Sequence, residues 1–169
     1  YNLFSDPAIL RVPGVLRPLL ARLITARRVK PALENYAILG GKSPLLDLTN
    51  AQAQALQAAL DDEATEVRTI VAMRYWHPFT EEAVAALKVF DPDEIVLLPL
   101  YPQFSTTTTG SSMAAWNQAA RKAGISAPLR SLCCFHSDGA YAAAQAALVA
   151  KTLREAQAAC GAGVTVRLL

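Results

Sequence analysis

A run of hydroxyl side chains is the most unusual chemical feature of the sequence. Residues 105–112 read Ser-Thr-Thr-Thr-Thr-Gly-Ser-Ser and carry seven hydroxyls between a predicted strand and a predicted helix. Backbone amides at the start of a helix, backed by hydroxyls, bind phosphates or carboxylates well. In the alternative, Ser111 or Ser112 only caps the helix. The two roles are compatible, so the run predicts an anion-binding segment, a helix cap, or both.

A second chemical segment, residues 74–77, reads Arg-Tyr-Trp-His and follows another predicted strand. It is typical of a cleft wall for a flat aromatic or anionic ligand, in which Arg74 supplies charge and Tyr75 stacks or hydrogen-bonds. Tyr101 and Phe104 would form the opposite wall. The alternative is an ordinary turn whose tryptophan packs on the core.

The two histidines, His77 and His136, are candidate bases, because imidazole is the side chain that ordinarily exchanges a proton near neutral pH. Neither lies in a catalytic or metal-binding motif, and the sequence holds no G-x-S-x-G elbow. The glycines at 40–44 (Gly-Gly-Lys-Ser-Pro) lack the first glycine of a P-loop and a preceding strand. The histidines therefore indicate no particular reaction.

Alternating elements must position these segments. We predict strands over 67–73, 94–100, 129–134 and 164–169, and helices over 14–28, from Lys30-Pro31, and over 45–61, 80–89, 111–123 and 140–160. This order predicts an α/β fold with an open parallel sheet flanked by helices. Ligands of such sheets bind beyond the carboxyl ends of the strands, which is where the chemical segments lie.

The helix predicted over 14–28 has an apolar stripe at helical spacing, formed by Leu16, Leu19, Leu20, Leu23 and Ile24. Periodicity alone favours a stripe that packs on a core. The alternative is an exposed apolar lip that touches a membrane surface or a hydrophobic ligand.

Composition limits the possible functions. The 169 residues are 53% hydrophobic with a net charge of +2, which excludes a disordered chain and gives no electrostatic case for nucleic acid. No apolar run reaches the ~18 residues that span a bilayer. The adjacent Cys133 and Cys134, with Cys160, predict buried, inert thiols in a reducing cytoplasm rather than metal ligands.

Three segments together resemble the ferrochelatases. The first is Arg27-Arg28, then Tyr36, then 40–44, which matches an R-R…Y…GG-x-S-P pattern. The second is 73–82, Met-Arg-Tyr-Trp-His-Pro-Phe-Thr-Glu-Glu, and the third is 100–112, which contains Tyr-Pro-Gln-Phe-Ser. The order and spacing of all three match the family.

The resemblance implies a class II chelatase-like fold with Rossmann-type halves, incomplete at both ends. Residues 1–138 would form the first α/β domain without its initial strand. Residues 139–169 would supply the first helix and strand of a truncated second domain. The histidine and glutamate of the family's metal site would follow Leu169, so the resemblance places no catalytic residue and no metal ligand within the chain.

The resemblance also implies a lyase of heme and porphyrin biosynthesis that inserts ferrous iron into protoporphyrin to give protoheme. Metal-binding chemistry would belong to the full-length protein, and the 169 residues alone would be inactive. The apolar helix would then be a lip of the cleft, with peripheral membrane contact through residues 14–28. The porphyrin-binding residues implied by matching position are Arg28, Tyr36, Ser43, Arg74, Tyr75, Tyr101, Ser105, Thr107 and Ser111.

Two departures from the family limit the resemblance. Thr106 stands where some relatives carry an iron–sulfur ligand cysteine, so this segment offers no cofactor ligand there and a cluster elsewhere stays open. Residues 135–139 do not match the histidine-rich stretch of animal members. The alternatives are another tetrapyrrole chelatase of the sirohydrochlorin or cobalt type, and a noncatalytic anion- or nucleotide-binding module. The expected location is cytoplasmic or membrane-associated, as a monomer or dimer.

Overall fold

The computed structural model describes residues 1–62, 64–160 and 165–167. Six helices, two strands and one π-helical turn follow one another along these residues. In chain order they are α1 (Asn2–Ser5), α2 (Arg17–Ile38), α3 (Leu45–Leu60), α4 (Thr80–Phe90), β1 (Ile95–Leu97), the π turn (Thr106–Gly110), α5 (Ser111–Ala123), β2 (Leu129–Ser131) and α6 (Gly139–Cys160).

The two strands pair in parallel, with Ile95 opposite Leu129 and Leu97 opposite Ser131. The connection between them contains α5, as a parallel pair requires. The predicted α/β class with a parallel sheet is therefore confirmed. Both strands are shorter than predicted, because the described residues beyond the three paired positions in each have no ladder partner.

The core lies where α4 packs on α5 and β1. Its buried residues are Val84 of α4, Ile95 of β1, and Trp116 and Ala119 of α5. The helices predicted over 80–89 and 111–123 are present, and these buried positions lie on the apolar face of each. This packing fixes the start of α5, where the hydroxyl run ends.

Local hydrogen bonds set the ends of these two helices. The Glu82 carboxylate accepts the Phe79 amide at 2.6 Å, which satisfies a free donor before the first turn of α4. Lys88 donates from Nζ to the Ala123 carbonyl at 2.8 Å and so ties the end of α4 to the end of α5. Gly124 ends α5 with a φ of +73°, a left-handed conformation that suits glycine.

The N-terminal helices differ from prediction in two ways. The prediction that a new helix starts at Lys30-Pro31 is wrong, because α2 runs through Pro31. The proline ring removes the amide that would bond the Arg27 carbonyl, and this carbonyl lies on an exposed stretch of α2. A core-packed leucine stripe is also wrong, since Leu19 is 70% exposed and Ala21 is the buried residue of α2.

The strand predicted over 67–73 is absent from its described residues. Its backbone forms no ladder, apart from an isolated bridge between Met73 and Phe79. Instead, the segment lies along α3, where the Thr69 amide donates to the Gln57 side chain at 2.9 Å and the Thr69 hydroxyl donates to the Ala53 carbonyl at 3.0 Å. A strand is held by a neighbouring strand, and here a helix takes its place.

The C-terminal part of the chain corrects the cysteine prediction. Cys133 and Cys134 are joined by a disulfide, and Cys160 is exposed and free. Burial was the wrong expectation, because the loop after β2 and the end of α6 both lie at the surface. Half of the strand predicted over 164–169 falls outside the described residues, and the described residues 165–167 carry no strand.

No helix within the described residues combines the length and hydropathy needed to cross a membrane.

The α4–α5 contact can be tested with two valines of the same helix. Val84 is 2% exposed and Val89 is 86% exposed. Val84→Ala should lower the free energy of unfolding by about 1.5–2.5 kcal/mol, because two buried methyl groups are lost and a cavity remains. Val89→Ala should change it by less than about 0.5 kcal/mol. Urea unfolding measures both, and equal losses would contradict the assigned core.

Candidate functional site

Three side chains, from two distant parts of the sequence, converge on the carboxylate of Asp6. Oδ2 of Asp6 accepts hydrogen bonds from Arg74 Nη2 at 2.7 Å, Tyr75 Oη at 2.9 Å and Ser111 Oγ at 2.5 Å. Arg74 Nε also donates to Ser111 Oγ at 2.7 Å. We call these four residues the Asp6 cluster. It joins the segment after α1, the loop before α4 and the first residue of α5.

The backbone around Asp6 holds its carboxylate in place. Oδ1 accepts the Ala8 amide at 2.8 Å, which forms an Asx turn two residues on. The Asp6 carbonyl accepts the amides of Ile9 at 3.1 Å and Leu10 at 2.9 Å. From α2, Arg17 donates to the Leu10 carbonyl at 3.2 Å. The carboxylate is thus a fixed acceptor on a hydrogen-bonded turn.

The electrostatics of the cluster keep Asp6 ionised and Tyr75 protonated. Burial raises the pKa of Asp6, but hydrogen bonds from Ser111, the Ala8 amide and Tyr75, together with the Arg74 charge, outweigh it and leave this pKa below its usual value. Burial, reinforced by the Asp6 charge, raises the pKa of Tyr75. At neutral pH Tyr75 is therefore a hydrogen-bond donor.

Arg74 is tied into the protein. Its side chain is 26% exposed, whereas that of Asp6 is only 4% exposed. Its guanidinium carbon lies 5.0 Å from the centre of the Tyr75 ring, a cation–π contact. The charge that the sequence suggested for an anionic ligand is thus already paired with a carboxylate of the same chain.

The hydroxyl run forms the π turn and the start of α5. Ser105 precedes the turn, accepts the Thr107 amide at 3.2 Å and lies 2.8 Å from the Thr107 hydroxyl. The hydroxyl of Thr109 is buried and has no partner among the described residues. Ser111 makes no cap to α5, which is preceded by Gly110. The alternative of a Ser111 cap is therefore wrong, since its hydroxyl is used by the Asp6 cluster.

The other predicted porphyrin-binding residues lie outside the cluster. Arg28 on α2 is exposed, and its guanidinium carbon lies 5.9 Å from the Phe4 ring of α1. Near the end of α2, Tyr36 is 41% exposed. The Ser43 hydroxyl accepts the amide of Leu45, the first residue of α3, at 3.3 Å. Within the described part of the chain, no hydrogen bond or ion pair joins Arg28, Tyr36 or Ser43 to the cluster.

Two aromatic side chains follow β1 and face solvent in part. Tyr101 is 39% exposed and Phe104 is 58% exposed. The Pro102 carbonyl accepts the His136 amide at 3.1 Å, so the loops after β1 and β2 lie side by side, as expected for neighbouring parallel strands.

His77 has a structural partner. Its Nδ1 lies 2.8 Å from Glu82 Oε2, the carboxylate that caps α4, and both side chains are at least half exposed. The hydrogen bond from the Phe79 amide lowers the pKa of Glu82, and the His77 side chain lowers it further. His77 also packs edge-on against Trp76 and Phe79. These contacts give His77 a structural role at the start of α4.

Asp6 is the functional candidate that the sequence reasoning missed. It lies outside the three family motifs, and its partners are at least 68 residues away. A signal was present, because Asp6 is the single acidic residue among six basic ones in residues 1–33. An isolated acid in a basic segment indicates an ion pair, although the pattern does not identify its partner.

The pH dependence of stability tests the ionised Asp6. At pH 7, Asp6→Asn should lower the free energy of unfolding by about 2 kcal/mol, because bonds to a charged acceptor are lost. Since the folded-state pKa is lowered, this contribution is complete above the unfolded value of about 3.9 and disappears as pH falls through the folded value. The difference between wild type and variant in urea unfolding should therefore shrink from pH 5 to pH 2.

Asp93→Asn is the matched control, since Asp93 lies exposed in the turn before β1. It should follow the wild-type curve. A wild-type advantage over Asp6→Asn that stays constant into acid would contradict the charged cluster.

Comparison with known proteins identifies the family of the chain. The sequence model of the family described as Ferrochelatase matches residues 1–169. The chain is 49% identical over 158 residues to a ferrochelatase of Phenylobacterium zucineum (strain HLK1), which covers 92% of this chain and 45% of that protein. It is 54% identical over 138 residues to a ferrochelatase of Hyphomonas neptunium (strain ATCC 15444), covering 79% of this chain and 37% of that protein.

A ferrochelatase of Caulobacter vibrioides (strain NA1000 / CB15N) is 45% identical over 171 residues, which covers 100% of this chain and 47% of that protein. The chain thus spans about half the length of the curated relatives it matches. The family match extends over all three motifs and over the segment that carries Asp6. The chain belongs to the ferrochelatase family.

Proposed function

We propose that the full-length protein carrying this chain inserts ferrous iron into protoporphyrin to give protoheme. The observation that carries the proposal is the convergence of Arg74, Tyr75 and Ser111, from two separate family motifs, on one network. Family membership over residues 1–169 supports the same activity. The described residues would hold the macrocycle while ferrous iron, a substrate, enters it.

Aromatic and cationic side chains suit the two parts of a porphyrin. The Tyr75 and Tyr101 rings offer faces or edges to a flat macrocycle. Arg28 is exposed on α2 and is not ion-paired within the described residues, so it would pair with a propionate. Tyr36 and Ser43 follow it towards α3 and would hydrogen-bond the same carboxylate. Ser105 and Thr107 would line the wall through the π turn.

Iron insertion needs two further contributions. The two pyrrole N–H protons must pass to a base, and bending the macrocycle exposes the nitrogen lone pairs to the metal. Tyr75 stays protonated, so it is not that base. We assign bending to the wall residues, and proton and metal transfer to the family's histidine and glutamate, expected after Leu169.

The finer features of the protein are part of the same proposal. A boundary near residues 138 and 139 would divide two α/β domains, at the loop before α6. Leu16, Leu19 and Leu23 are each about half or more exposed, which suits a cytoplasmic enzyme whose cleft lip touches a membrane surface. The same exposed leucines favour protoporphyrin over a polar tetrapyrrole of the sirohydrochlorin type.

Substitution in the full-length protein tests the cleft. Arg74→Ala and Tyr75→Ala should each lower kcat/KM for iron insertion by about tenfold to a hundredfold, because the wall loses its shape. Protoheme formation from protoporphyrin and ferrous iron measures this loss. Lys151→Ala, on the exposed face of α6, should leave the rate unchanged. Normal turnover and porphyrin affinity in both cleft variants would overturn the assignment.

The 169 residues alone should bind porphyrin weakly and turn over no substrate. The reason is that the proposed proton acceptor and metal site are assigned to other residues of the full-length protein. The same assay, run on residues 1–169, checks this. Clear turnover would contradict the division of roles and make His77 and His136 the candidates for the base.

A further inference from the structure

We propose that Asp6 is a positioning residue that sets the charge selectivity of the cleft. Because Asp6 neutralises the charge of Arg74, the cleft wall formed by Arg74 and Tyr75 suits the uncharged part of a tetrapyrrole and disfavours additional carboxylates. The inference rests on the proposed function and names the substrate feature that the wall selects.

The first support is the way that the cluster uses the Arg74 guanidinium. Nη2 donates to Asp6 and Nε donates to Ser111, each at 2.7 Å. A guanidinium binds a carboxylate best with two parallel bonds from one edge. Since two of its three nitrogens are already used within the chain, Arg74 has a reduced capacity to bind a ligand carboxylate.

The second support is the burial and saturation of Asp6 itself. Its side chain is 4% exposed, so a ligand does not reach it directly. Its two oxygens accept four hydrogen bonds, from Arg74, Tyr75, Ser111 and the Ala8 amide. A carboxylate satisfied in this way acts through its partners, and its negative charge cancels the charge of Arg74 at the wall.

The third support is the contrast with Arg28. Both arginines contact an aromatic ring, Tyr75 for Arg74 and Phe4 for Arg28. Of these two arginines, only Arg74 has a carboxylate partner among the described residues, and Arg28 lies exposed on α2. Of the two arginines proposed to bind the porphyrin, one is thus compensated and the other is not, and a dicarboxylate tetrapyrrole would place its acidic groups at the second.

The third partner shows how charge and shape are linked. Ser111 accepts from Arg74 and donates to Asp6, so its hydroxyl bridges the ion pair at the start of α5. The anion that the hydroxyl run was predicted to bind is, at this residue, the protein's own Asp6. A ligand carboxylate at the same place would meet that negative charge.

The test compares affinities for two metal-free porphyrins, one with two carboxylates and one with four. Fluorescence titration gives Kd for each with the full-length protein. The ratio Kd(two)/Kd(four) measures the preference for extra carboxylates. In Asp6→Asn the freed Arg74 charge should raise this ratio at least fivefold. Adding Arg74→Gln to that variant should return the ratio to within about twofold of wild type.

Two further variants make the test specific. Arg74→Gln alone leaves Asp6 uncompensated, so the ratio should fall below wild type. It is also the deciding measurement if Asp6→Asn does not fold. Asp93→Asn, the exposed control, should keep the wild-type ratio. If Asp6 had only a structural role, its substitution would weaken the binding of both porphyrins equally and leave the ratio Kd(two)/Kd(four) unchanged.

The outcomes separate this inference from the proposed function. If wild type binds the dicarboxylate porphyrin but the ratio is the same in every variant, the selectivity role of Asp6 is overturned and the proposed function stands. If the second substitution does not reverse the first, Asp6 does not act through Arg74. If wild type binds neither porphyrin, the proposed function itself fails.

Discussion

A buried charge must be compensated where it lies, and the Asp6 carboxylate imposes this condition on the whole site. Removing one partner of a buried ion pair costs far more than an exposed pair contributes. Its donors come from positions 74, 75 and 111, so the chain must bring the loop before α4 and the start of α5 to the N-terminal segment. The exposed ion pairs of the chain, such as Lys42 with Asp47, impose no such order.

The same condition explains why the packing of α4 on α5 matters for function. The loop that carries Arg74 and Tyr75 leads into α4, and α5 begins with Ser111. The core residues Val84 and Trp116 fix the two helices against each other. The helix starts therefore lie at a set separation, and the Asp6 carboxylate bridges it. Packing supplies the frame and electrostatics selects one arrangement of the side chains within it.

Local signals in the sequence predicted the helices well, because caps and apolar periodicity act within a few residues. The helices predicted over 80–89 and 111–123 match α4 and α5 closely. The strand at 67–73 failed for the opposite reason, since β structure depends on a distant partner and Thr69 bonds to α3 instead. Motif resemblance found Arg74, Tyr75 and Ser111, although nothing local showed that they share a carboxylate. Asp6 was missed because its role exists only through contacts 68 to 105 residues away.

Under the proposed function, a wall that strains its substrate must itself be hard to deform, and internal charge pairing would provide this rigidity. A ligand that bends towards a metal pushes on the residues around it, and binding energy produces strain only if those residues do not yield. Arg74 is held by Asp6 and Ser111, so it would not need to reorganise when a macrocycle binds, whereas a free arginine would rotate to follow its nearest anion. The pairing proposed to keep Arg74 from binding carboxylates would thus also make it suitable as part of a rigid wall.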